Sequence, residues 1–233
     1  MNDQVTRRST PPERTGTDVR FSDLETFVLF KATPLPTDDV LDSFTELADD
    51  EYLEGSFIFR KRAFARGVLS PDGIEWVPET DFFQPRQTNA YAGDIRRVFA
   101  SAGNAIRNYI WQVLQGPSYR KGLGEGRYHF GLHQLRIVCD DLHKGYPVPE
   151  GYHQDGFDFV GLHSFQRANV DGGTSYLREG GKDGPCIHEH DLGHGEILVF
   201  NDRRLYHYAS PVVSKRAGPG HRDICVLTFS QMR

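Results

Sequence analysis

Gly151-Tyr152-His153-Gln154-Asp155-Gly156-Phe157-Asp158-Phe159-Val160 decides the reading of this chain. Alternate residues of an extended segment share one face, so His153 and Asp155 can turn toward a single point while Gln154 turns away. A second histidine lies downstream in a strand-like run, Leu205-Tyr206-His207-Tyr208, and a neighbouring strand can bring it to the same point. Two imidazoles and one carboxylate form the facial triad that holds non-haem Fe(II) and leaves coordination positions open. Beyond it, Gly220-His221-Arg222-Asp223 introduces a last apolar run, Ile224 to Phe229. Arg222, Ile224, Val226 and Thr228 share one face of that strand, and in a closed barrel this face lines the interior. An arginine turned inward needs an anion, and its forked donors suit a carboxylate. The order His-x-Asp, distal His, then Arg in the terminal strand therefore points to an oxygenase that uses Fe(II) and 2-oxoglutarate. In this reading His153, Asp155 and His207 hold the metal. Arg222 holds the C5 carboxylate of 2-oxoglutarate, and Thr228 adds a hydroxyl. Arg216 is a weaker alternative, because Lys215-Arg216-Ala217-Gly218-Pro219-Gly220 reads as a solvated turn.

Working outward, the C-terminal half reads as short strands punctuated by turns: His129 to Cys139, Phe157 to Ala168, Thr174 to Arg178, Glu196 to Phe200, Leu205 to Val213 and Arg222 to Phe229. Asn169-Val170-Asp171-Gly172-Gly173 has the composition of a hairpin turn, and Gly180 to Pro185 that of a loop. Strands at this spacing with no helix between them predict a mainly β fold, a sandwich or barrel rather than a parallel α/β sheet. A jelly-roll barrel supplies the neighbouring strand that His207 requires. His188-Glu189-His190 with His194 is a competing metal cluster, but it falls in a Gly-rich stretch and reads as a solvated loop.

The N-terminal half is mixed. Residues 1 to about 20 are polar and charged with a Pro-Pro pair, and read as a flexible tail. Phe27 to Phe30 and Phe57 to Arg60 are strand-like. Thr37 is placed as a helix N-cap ahead of Val40, Leu41, Phe44, Leu47 and Ala48. Ile95, Val98, Phe99, Ala102, Ile106, Ile110 and Val113 keep helical spacing, which predicts a helix from Gly93 to Leu114, ended by Gly116-Pro117 and packed on the outside of the barrel. The expected organisation is a tail over 1–20 and a single jelly-roll domain over 21–233, with its N-terminal part, about 21–125, mainly helical.

Bulk properties agree. The 233 residues suffice for one sizeable core, and a net charge of −5 argues against nucleic acid or an anionic membrane as the main partner. Three scattered cysteines, Cys139, Cys186 and Cys225, form no disulfide framework and fit a reducing cytosol. No apolar stretch is long enough for a transmembrane helix or a secretory signal, so a cytoplasmic protein is expected.

The Gly151–Val160 stretch, followed by Asn169-Val170-Asp171-Gly172-Gly173, resembles the 2OG-Fe dioxygenase family that includes bacterial L-isoleucine dioxygenase. So do Gln84, Asn89, Gly93 and Arg96 upstream, and His133-Gln134-Leu135-Arg136. The resemblance spans roughly residues 55 to 230. It implies a double-stranded β-helix core and hydroxylation of a free L-amino acid at an unactivated carbon, with O2 as co-substrate and release of succinate and CO2. Such a substrate brings a carboxylate and an ammonium. Arg136, with Gln134 on the same strand face, is the first choice for the carboxylate; Arg60, Arg62 and Arg96 are further choices. Tyr91, Phe157 and Phe165 are choices for an apolar side-chain pocket. Two other readings stand beside this one: the same iron site acting on a carrier-bound or peptidyl substrate as hydroxylase or desaturase, and a non-catalytic jelly-roll binding module.

Overall fold

The computed structural model describes residues 19–53, 55, 57–78, 81–83 and 93–232. In chain order its elements are β1 (Phe27–Lys31), α1 (Asp38–Asp42), β2 (Arg60–Ser70), β3 (Gly73–Trp76), β4 (Asp81–Phe82), β5 (Arg97–Val98), β6 (Ala100–Ser101), α2 (Asn104–Leu114), α3 (Pro117–Leu123), β7 (Tyr128–Cys139), β8 (Phe159–Ala168), β9 (Val170–Gly172), β10 (Ser175–Glu179), β11 (Cys186–His190), β12 (Glu196–Asn201), β13 (Leu205–Ala209), β14 (Val212–Ser214) and β15 (Gly220–Gln231).

Two sheets face each other. The larger runs β1-β12-β8-β15-β7-β2-β3, and β6 joins the edge of β2 in parallel. The smaller runs β11-β10-β13 and is extended by an isolated antiparallel bridge between His153 and His207. Leu177 and Leu205 from the small sheet pack against Val160, Leu162, Leu198 and Ile224 from the large one, which closes a mainly β, double-stranded β-helix core. The other face of the large sheet buries α2 and α3. Ile106, Tyr109, Ile110 and Val113 of α2 share one core with Leu132, Val199, Leu227 and Phe229. This is the outer helix that the 3.6-residue periodicity predicts.

Several elements differ from the sequence expectation, each for a physical reason. The long helix begins at Asn104 rather than Gly93. Arg97 and Val98 instead pair with Phe82 and Asp81, and Ala100 pairs with Ala63, so sheet-edge hydrogen bonds capture the backbone that helical spacing had claimed. Ile95 and Val98 are left exposed, and Gly103 supplies the extended residue ahead of the helix. Gly116-Pro117 ends α2 and also starts α3, with proline in the first turn, where its missing N–H costs nothing. The strand placed at Phe57 to Arg60 lies instead at Arg60–Ser70, pairing with β7 along its length. Asn169 to Gly173 is not a hairpin turn: Val170–Gly172 pairs with β14, and the chain crosses from the large sheet into the small one. His188 and His190 are not in a loop but on β11, paired with β10. The N-terminal part contributes strands as well as helices, since β1 and β2 extend the large sheet on either side. Among the described residues no helix is long and apolar enough to cross a membrane. The expected tail over 1–18, and Gln84, Asn89 and Tyr91, lie outside the described residues.

Candidate active site

His153 and His207 are tied together by their own backbones. The His153 N–H donates to the His207 carbonyl at 3.1 Å, and the His207 N–H donates back at 2.9 Å. Both side chains then fall on the same side of the bridge, with ring centroids 4.1 Å apart. Asp155 completes the group: its carboxylate lies 3.6 Å from His153 Nε2 and 3.4 Å from His207 Nε2. These atoms can all lie within 4.8 Å of one another, a spacing suited to three ligands around one ion. His153 is held in orientation by Nδ1, 3.0 Å from the Gly151 carbonyl, which leaves Nε2 as the inward donor atom.

The segment after His153 is not a regular strand, and Asp202 shapes it. Asp202 is fully buried and accepts backbone N–H bonds from Asp155 at 3.1 Å, Gly156 at 2.7 Å and Phe157 at 2.9 Å. Gly156 takes φ 90°, a conformation that disfavours a side chain, and this lets three successive N–H groups converge on one carboxylate. The Gln154 amide donates to the Asp202 carbonyl at 2.8 Å and so points away from the metal-ligand side. Asp202 Oδ1 also stands 3.5 Å from His207 Nδ1; this is longer than a charge-assisted hydrogen bond and acts as an electrostatic contact. Burial alone would lower the basicity of His207, but Asp155 and Asp202 on its two sides outweigh it and raise its pKa to about 10. Burial would likewise raise the Asp155 carboxyl, yet the two flanking histidines hold it well below the ordinary carboxylate range.

The triad opens into a cavity between the sheets, whose large-sheet wall includes Leu135, Ile137, Ile224 and Val226. Arg222 lies on that wall, 1% exposed, and its Nε and Nη2 have no hydrogen-bond partner. Its cross-strand neighbour on β8 is another arginine, Arg167, whose guanidinium donates to the Gly172 carbonyl at 2.6 Å. Burial first, then Arg167, lowers Arg222 to about 10, with Asp191 opposing them. Gly173 makes the room: a Cβ there would stand 2.8 Å from Arg222 Cδ. Two like charges face each other across a pair of strands, one of them buried with unused donors, so the site calls for an anion.

The sequence from residue 41 to 228 matches the model of a family described as 2OG-Fe dioxygenase. The chain belongs to the 2OG-Fe dioxygenase family. It is an Fe(II)- and 2-oxoglutarate-dependent oxygenase. No curated protein sequence matches it. Solved structures share its fold. A bsmA homologue from Methylobium petroleophilum PM1 has TM-score 0.74 and 24% identity, over 91% of this chain and 94% of that one. IDO from Bacillus thuringiensis has TM-score 0.67 and 18% identity, over 90% and 91%. TqaL, an Fe(II)/(alpha)ketoglutarate-dependent dioxygenase, has TM-score 0.58 and 17% identity, over 88% and 83%.

Of the residues singled out in the sequence, this dioxygenase brings His153, Asp155, His207 and Arg222, and also Arg60 and Arg62, to one cavity. Thr228 lines that cavity too, but it lies about 20 Å along β15 from Arg222 at ~3.3 Å per residue, beside Gly131, so the two cannot share one carboxylate. Arg136 and Gln134 are on the opposite face of β7. Arg136 forms a fork with the fully buried Asp223, both contacts 2.7 Å, and Gln134 donates to Ser43 Oγ at 2.9 Å. They brace the sheet behind Arg222 and do not face the cavity. Arg96 is a surface residue, 3.2 Å from Asp81. Phe165 is core, packed on Phe44 and His163, whereas Phe157 does line the cavity. His190 contacts Glu196 at 2.8 Å, and the buried His188 lies against Phe27 with centroids 4.4 Å apart. Asp202, Arg167, Arg97 and Glu150 are not singled out as functional by the sequence, and His133 enters only within the family-like segment His133-Gln134-Leu135-Arg136. Their spacing carries no motif: alternation along β7 hints at His133 on the inner face, but along β8 it puts Arg167 with the outward Phe165, and only a register shift between Asp223 and Ile224 brings Arg167 opposite Arg222.

Proposed function

We propose that this dioxygenase hydroxylates a free L-amino acid or a close derivative, releasing succinate and CO2, with His153, Asp155 and His207 as iron ligands and Arg222 as the anchor for the far carboxylate of 2-oxoglutarate. The observation that carries the ligand assignment is the juxtaposition in one cavity of a carboxylate–imidazole triad and a buried arginine with unused donors. Fe(II) with 2-oxoglutarate supplies the activation of dioxygen that side chains alone cannot provide. The chain's own part is placement. The His153–His207 backbone pairing and Asp202 fix the ligand directions, Arg222 sets the length at which the cosubstrate is held, and the aliphatic wall of β7 and β15 keeps bulk water from the reacting carbon. A small free substrate is supported by where the remaining positive charge lies. Arg62 and Arg97 are buried inside the cavity, 8% and 2% exposed, rather than spread over a rim for a carrier domain.

The test is anaerobic loading with Fe(II) and 2-oxoglutarate, then exposure to O2 with each proteinogenic L-amino acid. Succinate release coupled to a product heavier by one oxygen atom supports the reading. If only a carrier-tethered or peptidyl form stimulates turnover, the free-amino-acid reading is wrong.

A further inference from the structure

A second basic group lies in the same cavity, around Arg62, which the sequence offers only as a further choice for the substrate carboxylate. Arg62 on β2 reaches Nδ1 of His133 through Nη2, and its guanidinium lies 4.0 Å over the Phe99 ring. Its Nε has no hydrogen-bond partner. The nearby carboxylate, Asp50, is 3.9 Å away and already engaged by Arg60 at 2.8 Å. Arg97 on β5 joins the group, 5.0 Å over the Phe82 ring. Burial first, then the adjacent Arg60, lowers Arg62 to about 9. Burial and then Arg62 push His133 well below its ordinary value, so it stands neutral as a hydrogen-bonding group. Arg62 thus shares its one nearby ion-pair carboxylate with Arg60 and keeps a buried donor unused, a deficit that a bound anion would relieve.

This group is separate from the Arg222 site. Arg60, Ile137 and Arg222 lie in one cross-strand row, with β7 between β2 and β15, so the two basic centres are ~10 Å apart at the backbone. Arg62, Arg97 and His133 feel the charge of Asp155; Arg222 is influenced instead by Arg167 and Asp191. A cosubstrate anchored at Arg222 therefore leaves the Arg62 group available to a second anion on the Asp155 side. Glu150 also lines the cavity, with Oε1 3.8 Å from His153 Nε2, and it acts electrostatically on Arg97. Cations gathered beside one acid match a molecule with a carboxylate and an ammonium on neighbouring atoms.

From this geometry we infer that Arg62 and Arg97, with His133, form the carboxylate subsite of the primary substrate, and that Glu150 receives its ammonium. This rests on the amino-acid oxygenase reading and replaces Arg136 in it. Loss of a fork between a buried arginine and a carboxylate weakens binding by about 30-fold or more.

The test is anaerobic calorimetry on protein loaded with Fe(II) and 2-oxoglutarate. The probes are the proteinogenic L-amino acids, their primary amides and their deamino carboxylates. The expected result is that at least one amino acid binds, that its amide binds at least 30-fold more weakly, and that Arg62→Met and Arg97→Gln each weaken the acid by that factor while 2-oxoglutarate affinity stays within about threefold. Retained 2-oxoglutarate binding also shows that the variants fold; should Arg62→Met not fold, Arg97→Gln and Arg62→Lys carry the comparison. Glu150→Gln should weaken the amino acid and spare its deamino analogue, and the exposed Arg96→Ala should match wild type. An amide that binds as well as the acid, variants without effect, or no carboxylate binding at all would overturn the subsite. So would Arg62→Met weakening 2-oxoglutarate as much as Arg222→Met does, since the group would then be the cosubstrate cradle. If deamino carboxylates bind through Arg62 but no amino acid does, the anion subsite stands, while the Glu150 contact and the free-amino-acid reading both fall.

Discussion

Asp202 stands behind His207, its Oδ1 3.5 Å from Nδ1, while the same carboxylate gathers the backbone N–H groups of Asp155, Gly156 and Phe157. One buried acid thus lies electrostatically behind an imidazole from β13 and fixes the path of the segment that carries Asp155. Partners of this kind typically contribute 10- to 100-fold in metal affinity (about that range). Asp202→Asn keeps the size but turns an amide group toward those N–H donors. Fe(II) affinity, measured by anaerobic competition with a chelator, should fall by about 10- to 100-fold. An unchanged affinity would show that Asp202 only shapes the turn.

The three proposed ligands should behave alike, and the histidines of β11 should not. His153→Ala, Asp155→Ala and His207→Ala should each abolish iron-dependent turnover, because two ligands neither fix the geometry nor hold the ion well. His190→Ala should retain iron. His188 is buried against Phe27, so His188→Ala should lower stability by about 1–3 kcal/mol with iron binding intact. Metal analysis alongside thermal melting separates the two classes; loss of iron in His188→Ala or His190→Ala without loss of fold would move the site.

How far the sequence alone reaches can be seen residue by residue. His207 and Arg222 stand out because they sit in extended runs, whose faces alternate, and His153 and Asp155 because of their two-residue offset, although the turn around Asp202 rather than a regular strand brings Asp155 beside His153; all four line one cavity. The strands β7, β8, β12, β13 and β15 are legible for the same reason. The inner and outer faces of β7 were not. Gln134 and Arg136 alternate correctly, but alternation gives two faces and does not say which is inward; that is decided by Asp223 on the outer face of β15, which claims Arg136. Arg97 was hidden by an accidental helical period that loses to sheet-edge pairing with Phe82. Asp202 carried no signal, since an Asn-Asp pair ahead of a strand reads as a turn whether or not its carboxylate is buried.

Arg222 makes a prediction in two directions. With its Nε and Nη2 unpaired and the residue 1% exposed, it is a stability defect until an anion arrives. Arg222→Met should therefore melt no lower than wild type when neither protein holds 2-oxoglutarate. Added 2-oxoglutarate should raise the melting temperature of wild type and not of the variant, through the usual mass-action stabilisation. The apparent 2-oxoglutarate requirement should rise about 30-fold or more. Equal stabilisation of both proteins by 2-oxoglutarate would remove Arg222 from the cosubstrate site.

Acid should destabilise the fold through its buried histidines, and His163 isolates the effect. It is fully buried between Tyr109 and Phe165, and burial first, then His194, lowers it to about 3 from an ordinary value of 6.5. Above the unfolded value neither state binds a proton there, so stability is indifferent to pH. Below it the unfolded chain takes up a proton that the folded chain refuses, and stability falls as pH drops, down to the folded value. Between pH 7 and pH 5 one such histidine removes about 2 kcal/mol. His163→Leu should lower stability at neutral pH through lost packing, yet flatten the decline on acidification by about that amount. Denaturant melts at pH 7 and pH 5 measure it; a parallel decline in both proteins would mean that His163 is protonated in the folded state.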